Sequence, residues 1–167
     1  MAESAPATTA SRLESRSHKE QGLRVRHLKR VCVIDGQGGG IGATVIKYLK
    51  EAYGESIELI GLGTNAIAAA QMLKAGANRA ASGENAIVRT APTTDVIIGP
   101  ISIGWANAML GEITPKMAEA VTSTPIPKIF LPLSQEPVVI VGVTAEPLPH
   151  LVQQLVNQKV KEVLFDV

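Results

Sequence analysis

Short apolar runs alternate with stretches in which apolar residues recur at helical spacing. Residues 31–35 (VCVID) and 57–62 (IELIGL) are rich in β-branched and aliphatic side chains and predict two buried strands. Between these runs, apolar residues recur three or four positions apart and predict a helix that ends near Gly54; they are Ile41, Val45, Leu49 and Ala52. The ordered part of the chain therefore begins near Arg30 with a strand–helix–strand unit.

The same alternation continues through the middle of the chain. Residues 66–75 (AIAAAQMLKA) consist mostly of strong helix formers and predict a second helix. Residues 78–82 predict a short third strand, and residues 86–88 fit either the start of another strand or a helical turn. Residues 95–98 (DVII) predict a fourth strand that stops at Gly99-Pro100.

In the last third of the chain, residues 102–110 predict a helix, and Thr114-Pro115 predicts the N-cap and first residue of the next. Residues 128–133 and 138–143 predict two strands whose short link requires an antiparallel hairpin. A C-terminal helix is expected over residues 148–164. The complete pattern predicts an α/β fold, a three-layer, doubly wound, Rossmann-like domain with a mainly parallel sheet and a C-terminal antiparallel edge hairpin.

Charge divides the chain into two parts. Residues 1–30 carry seven Lys or Arg and three Glu, whereas the whole chain of 167 residues has a net charge of only +1. We therefore expect a disordered basic tail over residues 1–28 and one Rossmann-like domain over residues 29–167. The near-neutral charge and an aromatic content of 3% argue against nucleic-acid or membrane partners.

The cysteine and hydropathy patterns favour a cytoplasmic protein. Cys32 is the only cysteine, so no internal disulfide can form, and its position in a strand predicts a buried, inert thiol. No apolar run approaches the roughly 20 residues of a membrane-spanning helix, and the N-terminus lacks a secretory pattern. The three histidines do not cluster, so no metal site is expected.

A glycine-rich turn, residues 36–42 (GQGGGIG), lies between the first predicted strand and the first helix. Glycines allow a ligand to approach bare backbone, and the N–H groups and positive dipole of the following helix favour an anion. Gly38-x-Gly40-x-x-Ala43 fits the dinucleotide fingerprint with alanine in its third position. Tight packing of helix against strand is the alternative reason for such a turn.

The sequence departs from three known patterns of nucleotide-binding proteins. The spacing Gly36-x3-Gly40-Ile41-Gly42 resembles short-chain dehydrogenases, yet no tyrosine is followed four residues later by lysine. The lysine of a phosphate-binding P-loop is missing. No carboxylate follows the second strand to hold an NAD ribose, where Thr64 and Asn65 stand instead. The cofactor is therefore open, with NAD(P) or another nucleotide as candidates.

Polar loops follow the other predicted strands and should meet the glycine-rich turn at one edge of the sheet, together with Ser102 and Ser134-Gln135. The residues expected to contact a nucleotide-type ligand there are Gly36, Gln37, Gly38, Gly39, Gly40, Ile41, Gly42, Thr64, Asn65, Glu84, Asn85, Gly99 and Pro100. Asp35, Glu84 and Glu112 are candidate acid or base groups, since a carboxylate beside an apolar crevice can have a raised pKa. The alternative is that Asp35 braces the turn while the two glutamates cap helices.

Five segments together resemble an uncharacterised bacterial family of short Rossmann-like proteins, found mostly in anaerobes and described as a domain of unknown function. The segments are IDGQGGGIGATVI, LGTNAIAAAQMLKAGA, GENAIV, DVIIGPISI and AMLGEITPKMAEAV. The resemblance implies the Rossmann-like fold and the same set of loops, but no activity. The chain departs from the family in its basic tail and in Ala43, where members often have lysine.

Three functions remain open at this point. The first is binding of a nucleotide or dinucleotide, a small phosphate-bearing ligand, by a sensor or accessory protein. The second is a small enzyme acting on a nucleotide-like substrate with one of the three carboxylates as acid or base. The third is a non-catalytic structural or accessory subunit whose crevice receives a partner. A homo-oligomer is compatible with each.

Overall fold

The structure, a computed structural model, describes Ala2 and residues 27–166. Five strands form one sheet in the order β3-β2-β1-β4-β5, and all four neighbouring pairs are parallel. The strands are β1 (Lys29–Asp35), β2 (Ile57–Gly63), β3 (Arg79–Ser82), β4 (Val96–Pro100) and β5 (Lys128–Leu131). The Rossmann-like α/β prediction is therefore confirmed. Most of the predicted basic tail lies outside the described residues.

Helices cover both faces of the sheet. They are α1 (Gly40–Tyr53), α2 (Ala66–Ala75), α3 (Glu84–Thr90), α4 (Pro115–Ser123), α5 (Leu148–Gln154) and α6 (Val160–Phe165). A short π-helix (Leu155–Lys159) joins the last two. Residues 86–88, which fitted two predictions, belong to α3. No helix among the described residues is both long enough and apolar enough to cross a membrane.

The period of two along β1 divides the core into two clusters. Val31 and Val33 pack with α1, α2 and the C-terminal helices on one face. Cys32 and Ile34 pack with α3 and α4 on the other. Cys32 is 0% exposed, as the sequence predicts. Strands buried on both faces read as continuous apolar runs, which is why β1 and β4 are recognisable in the sequence.

The predicted antiparallel edge hairpin is wrong. β5 ends at Leu131, immediately before Pro132, and residues 138–143 form a loop with a hydrogen-bonded turn from the Val143 N–H to the Ile140 carbonyl. Val139 and Val141 are 93% and 97% exposed, so their β-branched side chains do not contribute to a sheet face. β5 instead pairs only with β4, in parallel, because α4 crosses over between them.

The predicted helix over residues 102–110 is also wrong. A single 3-10 turn spans Ile101–Gly104, and a series of turns follows. Asn107, Met109 and Leu110 have φ values of 66°, 55° and 56°. These left-handed conformations cannot continue a right-handed helix, and they direct the chain back toward the sheet edge.

From β1 the chain continues to β2 on one side, and from β4 it continues to β5 on the other side. The connections that follow the neighbouring strands β1 and β4 therefore run in opposite directions from their carboxyl ends. In open α/β sheets such a point creates a crevice above the sheet edge, where ligands commonly bind. The glycine-rich turn lies at this point, between β1 and α1.

Candidate functional site

A cavity of about 370 Å³ opens at the carboxyl ends of β1, β4 and β5, and we call it the loop cavity. Its walls come from three separate parts of the chain: residues 35–41, then Pro100, Ser102 and Met109, then residues 133–136. The glycine-rich turn forms one wall, and the loop after β5 forms another. The predicted crevice at the strand ends therefore exists as a cavity.

The glycines of the turn play different steric roles. A Cβ atom on Gly36 would lie 2.6 Å from both the Met109 Sδ and the Thr64 Oγ1, and Gly39 has a φ of 72°. These two positions need glycine for packing and for backbone conformation. Gly38 and Gly40 have no atom within 4 Å of such a Cβ, so nothing in the fold itself demands glycine there.

Asp35 is buried behind the turn and is held by its backbone. Its Oδ1 accepts a hydrogen bond of 2.8 Å from the Gly36 N–H, and its Oδ2 accepts one of 2.7 Å from the Gly42 N–H. Burial raises the pKa of Asp35 above its ordinary value of 3.8, against the opposing effect of the Gly42 and Gly36 amides; the charge of Glu112 adds to the rise. The carboxylate thus braces the turn and lines the loop cavity at once.

One carboxylate oxygen of Glu112 accepts hydrogen bonds from two loops. Its Oε2 accepts hydrogen bonds from the Gln37 N–H at 2.7 Å, the Thr64 hydroxyl at 2.5 Å and the Asn65 side-chain amide at 3.0 Å. Partial burial tends to raise the pKa of Glu112, but these three donors outweigh it and lower the pKa below its ordinary value of 4.5. Glu112 is therefore ionised at neutral pH and holds the turn against the loop after β2.

Two N–H groups of the turn remain available. Among the described residues, no acceptor hydrogen-bonds the N–H of Gly38 or Gly40, whereas those of Gly36, Gln37, Gly39 and Gly42 are engaged and that of Ile41 lies close enough to Asp35 to lower its pKa. Gly40 is the first residue of α1, a helix of 14 residues. The available donors therefore lie where the helix dipole favours an anion, on the wall of the loop cavity.

Among the described residues, the side chains that line the loop cavity are apolar, neutral polar or acidic, and none is Lys, Arg or His; the apolar ones are Ile41, Pro100, Met109 and Leu133. Gln135 extends from the loop after β5 and donates a long hydrogen bond of 3.4 Å to the Gln37 carboxamide oxygen. Glu136 accepts a hydrogen bond of 3.2 Å from the Met109 N–H. A ligand in this cavity thus meets backbone donors and neutral amides, but no cationic side chain.

The structure places the predicted site residues in four groups. Residues 36–41 and Pro100 line the loop cavity. Thr64 and Asn65 lie beside it and are engaged by Glu112, while Gly42 and Gly99 are buried in α1 and β4. Glu84 and Asn85 begin α3 after β3, at the far edge of the sheet, and among the described residues neither hydrogen-bonds the turn.

Three residues of the cavity wall were not among those predicted: Met109, Leu133 and Glu136. Their positions depend on the left-handed turns after Asn107 and on the loop after β5, the two regions where the sequence prediction was wrong. One signal existed in Pro132, which lies inside the predicted strand 128–133 and cannot donate a hydrogen bond to a neighbouring strand.

The chain matches the family described as Domain of unknown function (DUF3842) over residues 30–164. It therefore belongs to this family, whose match covers the sheet, the turn and the C-terminal helices. No curated protein shows significant similarity to the chain.

Proposed function

We propose that the protein binds a nucleotide-type ligand in the loop cavity, with a phosphate group at the N–H groups of Gly38 and Gly40. The observation that carries this proposal is the pair of backbone donors that have no acceptor among the described residues, at the start of a long helix and in residues that line the loop cavity. Backbone amides at such a position commonly bind phosphate.

The remaining walls suit the rest of such a ligand. Gln37, Ser134 and Gln135 offer neutral donors and acceptors for sugar hydroxyls or base edges, and Pro100 and Met109 offer apolar surface. A volume of about 370 Å³ lies toward the lower end of the roughly 300–1,000 Å³ of ligand sites and fits one nucleotide unit. A dinucleotide such as NAD(P) would extend beyond the cavity into solvent.

Calorimetric titration of the full chain with AMP, GMP, UMP, NAD, NADP and FAD tests the proposal. We expect one-site binding of at least one of these compounds. Gly38→Ala and Gly40→Ala should each weaken it at least tenfold, because a methyl group added to the open wall obstructs approach of the phosphate to the backbone. Ala70→Ser adds one heavy atom to an exposed position of α2 and serves as the control. Binding by none of the compounds, or unchanged affinity in both glycine variants, would contradict the proposal.

A small enzyme is the second candidate, and the raised pKa of Asp35 beside the cavity favours it. A carboxyl group that holds its proton to higher pH is suited to proton transfer. Chromatography of each bound nucleotide after prolonged incubation would reveal turnover. Loss of turnover in Asp35→Asn with retained binding would support a catalytic role for Asp35. Persistent turnover in that variant would contradict this role.

A structural or accessory subunit is the third candidate, favoured by exposed apolar side chains in two loops. Leu110, Val139 and Val141 are each more than 90% exposed. Such side chains are commonly covered by a partner, including a second copy of the chain. Sedimentation velocity should then show an oligomer that dissociates in the Val139→Ser/Val141→Ser variant; a monomer in the unmodified protein would contradict the homo-oligomer.

We also propose a cytoplasmic location, supported by the single buried cysteine, which needs no oxidising compartment. Cell fractionation of the full chain tests it, and recovery in an exported fraction would contradict it.

A further inference from the structure

Ser102 is a nearly buried residue whose hydroxyl has no hydrogen-bonding partner among the described residues. The residue is only 4% exposed, and no hydrogen bond of its side chain occurs among the described residues. It lies in the 3-10 turn after β4, on the wall of the loop cavity. Every side-chain nitrogen or oxygen that is completely buried in the described part of the chain has a partner, so the Ser102 Oγ keeps its small exposure toward the cavity.

Because the Ser102 Oγ keeps a small exposure, water or a ligand in the cavity can hydrogen-bond it, and a ligand that displaces the water must replace that hydrogen bond. Removing a polar group from water without a compensating hydrogen bond destabilises the folded state. Ser102 follows β4 and the glycine-rich turn follows β1, so the hydroxyl and the two available N–H groups border the cavity from two adjacent strands. Together they supply three donors and no positive side chain.

The charges around the cavity limit how much negative charge a ligand can carry. Asp35 and Glu136 line it, and Glu112 lies directly behind Gln37. Within the described residues, the one positive contribution on this wall is the N-terminus of α1, about half an elementary charge, and the carboxylate of Asp35 already bonds to that helix. A dianionic phosphate monoester would therefore be repelled by three carboxylates, whereas a phosphodiester carries one charge and keeps two free oxygens as acceptors.

We propose that the loop cavity selects a phosphodiester, with one negative charge on its phosphate, and that the Ser102 hydroxyl and the Gly38 and Gly40 amides bind the phosphate oxygens. This inference rests on nucleotide binding at the cavity and adds the chemical class of the ligand. It predicts that a nucleotide whose phosphate carries two ester bonds, cyclic or linear, binds more tightly than a nucleoside monophosphate, whose phosphate carries one.

Two matched pairs of probes isolate the charge. AMP and GMP are compared with adenosine 5′-(methyl phosphate) and guanosine 5′-(methyl phosphate), which differ only by a methyl ester that removes the second ionisation. At pH 7.5 we expect the better-binding ester to bind at least tenfold more tightly than its monoester. At pH 5, below the second phosphate pKa of about 6, the monoester is mostly monoanionic and the ratio should fall toward one. At pH 5 both members of a pair carry mainly one negative charge, so protonation of the protein at that pH affects the binding of both alike.

The possible outcomes separate this inference from the function on which it rests. If a monoester binds as tightly as its methyl ester at pH 7.5, the preference for a phosphodiester is wrong while nucleotide binding stands. If neither the methyl esters nor any nucleotide of the calorimetric titration above binds, the proposed nucleotide binding and the preference for a phosphodiester are both wrong. If adenosine and guanosine bind as tightly as their methyl phosphates, the phosphate makes no contribution and the inference is overturned.

Ser102→Ala tests the hydroxyl itself. We expect the thermal midpoint to stay the same or rise slightly, because no hydrogen bond within the protein is lost, while the ester binds at least fivefold more weakly. Ser123→Ala, which removes an exposed hydroxyl at the end of α4, should change neither the affinity for the ester nor its preference over the monoester. Affinity unchanged by Ser102→Ala would remove Ser102 from the site.

Discussion

The hydroxyl of Thr64 donates a hydrogen bond of 2.5 Å to the Oε2 of Glu112, joining the loop after β2 to the turns that precede α4. Thr64→Val keeps the shape of the side chain and removes this donor. Because hydrogen bonds to charged groups contribute about 1.5–3 kcal/mol, we expect the free energy of unfolding to fall by about 2 kcal/mol. Urea unfolding measures the loss. In Thr122→Val, whose hydroxyl bonds only to a helical carbonyl, the loss should be clearly smaller.

The contributions of Asp35 and Glu112 to stability should respond to acid with opposite signs. The folded pKa of Glu112 lies below its ordinary value of 4.5, so ionised Glu112 stabilises the fold above that pH, and the stabilisation is lost as pH falls through the folded pKa. Glu112→Gln should therefore be most destabilising near pH 7, with a deficit that narrows below pH 4.5. Urea unfolding between pH 7 and pH 3 checks this, and a deficit independent of pH would contradict it.

For Asp35 the dependence is reversed. Its folded pKa lies above the ordinary value of 3.8, so its contribution is fully present below that pH and is lost as pH rises through the folded pKa. The advantage of the unmodified protein over Asp35→Asn should therefore grow as pH falls from 7 toward 4. The same urea titrations measure it; an advantage that shrinks over that interval would show that the amide donors outweigh burial.

Gly36 and Gly38 should differ sharply although they are two residues apart. A methyl group at Gly36 meets the Met109 Sδ and the Thr64 Oγ1 at 2.6 Å, so we expect Gly36→Ala to destabilise the fold by about 2 kcal/mol or more. Gly38→Ala enters open space and should change the free energy of unfolding by less than about 0.5 kcal/mol. Thermal unfolding compares them, and equal losses would show that the turn is packed differently.

Gln37 combines a strained backbone with a side chain on the cavity wall. Its φ is 50°, a conformation that glycine adopts without strain, so Gln37→Gly should stabilise the fold by up to about 1 kcal/mol. Gln37→Ala removes the same carboxamide but keeps the strain, and it should not stabilise. If the carboxamide contacts the ligand, both variants lose affinity equally. Calorimetry and thermal unfolding of the two variants separate the backbone effect from the side-chain effect.

The sequence predicts the parts of the site that depend on local pattern. β1, the turn and α1 are adjacent in the chain, and the alternation of strands and helices requires the parallel sheet that brings the other loops to the same edge. The turn residues could therefore be proposed for the cavity wall without coordinates. Asp35 was assigned either to bracing or to proton transfer, and its hydrogen bonds from Gly36 and Gly42 show the bracing.

The parts that could not be predicted depend on contacts between distant residues. Residues 138–143 have the β-branched composition of a strand, but tertiary pairing decides whether a strand forms, and β5 finds its partner in β4. Residues 102–110 have helical composition, yet Asn107, Met109 and Leu110 adopt left-handed backbone conformations there. The donors of Glu112 lie 75, 48 and 47 residues away in the chain, so no local pattern reveals that this carboxylate holds Thr64 and Asn65.

The hydrogen bonds that Glu112 Oε2 accepts also limit where residues can be inserted into this protein. Surface loops normally tolerate added or deleted residues because nothing fixes their tips. Here one atom must remain within hydrogen-bonding reach of the turn after β1 and of the loop after β2. An insertion in either loop, or between Asn107 and Thr114, would separate the acceptor from donors that the other segments hold in place. Insertions should therefore be far better tolerated in the exposed loop at residues 138–143 than at these three segments.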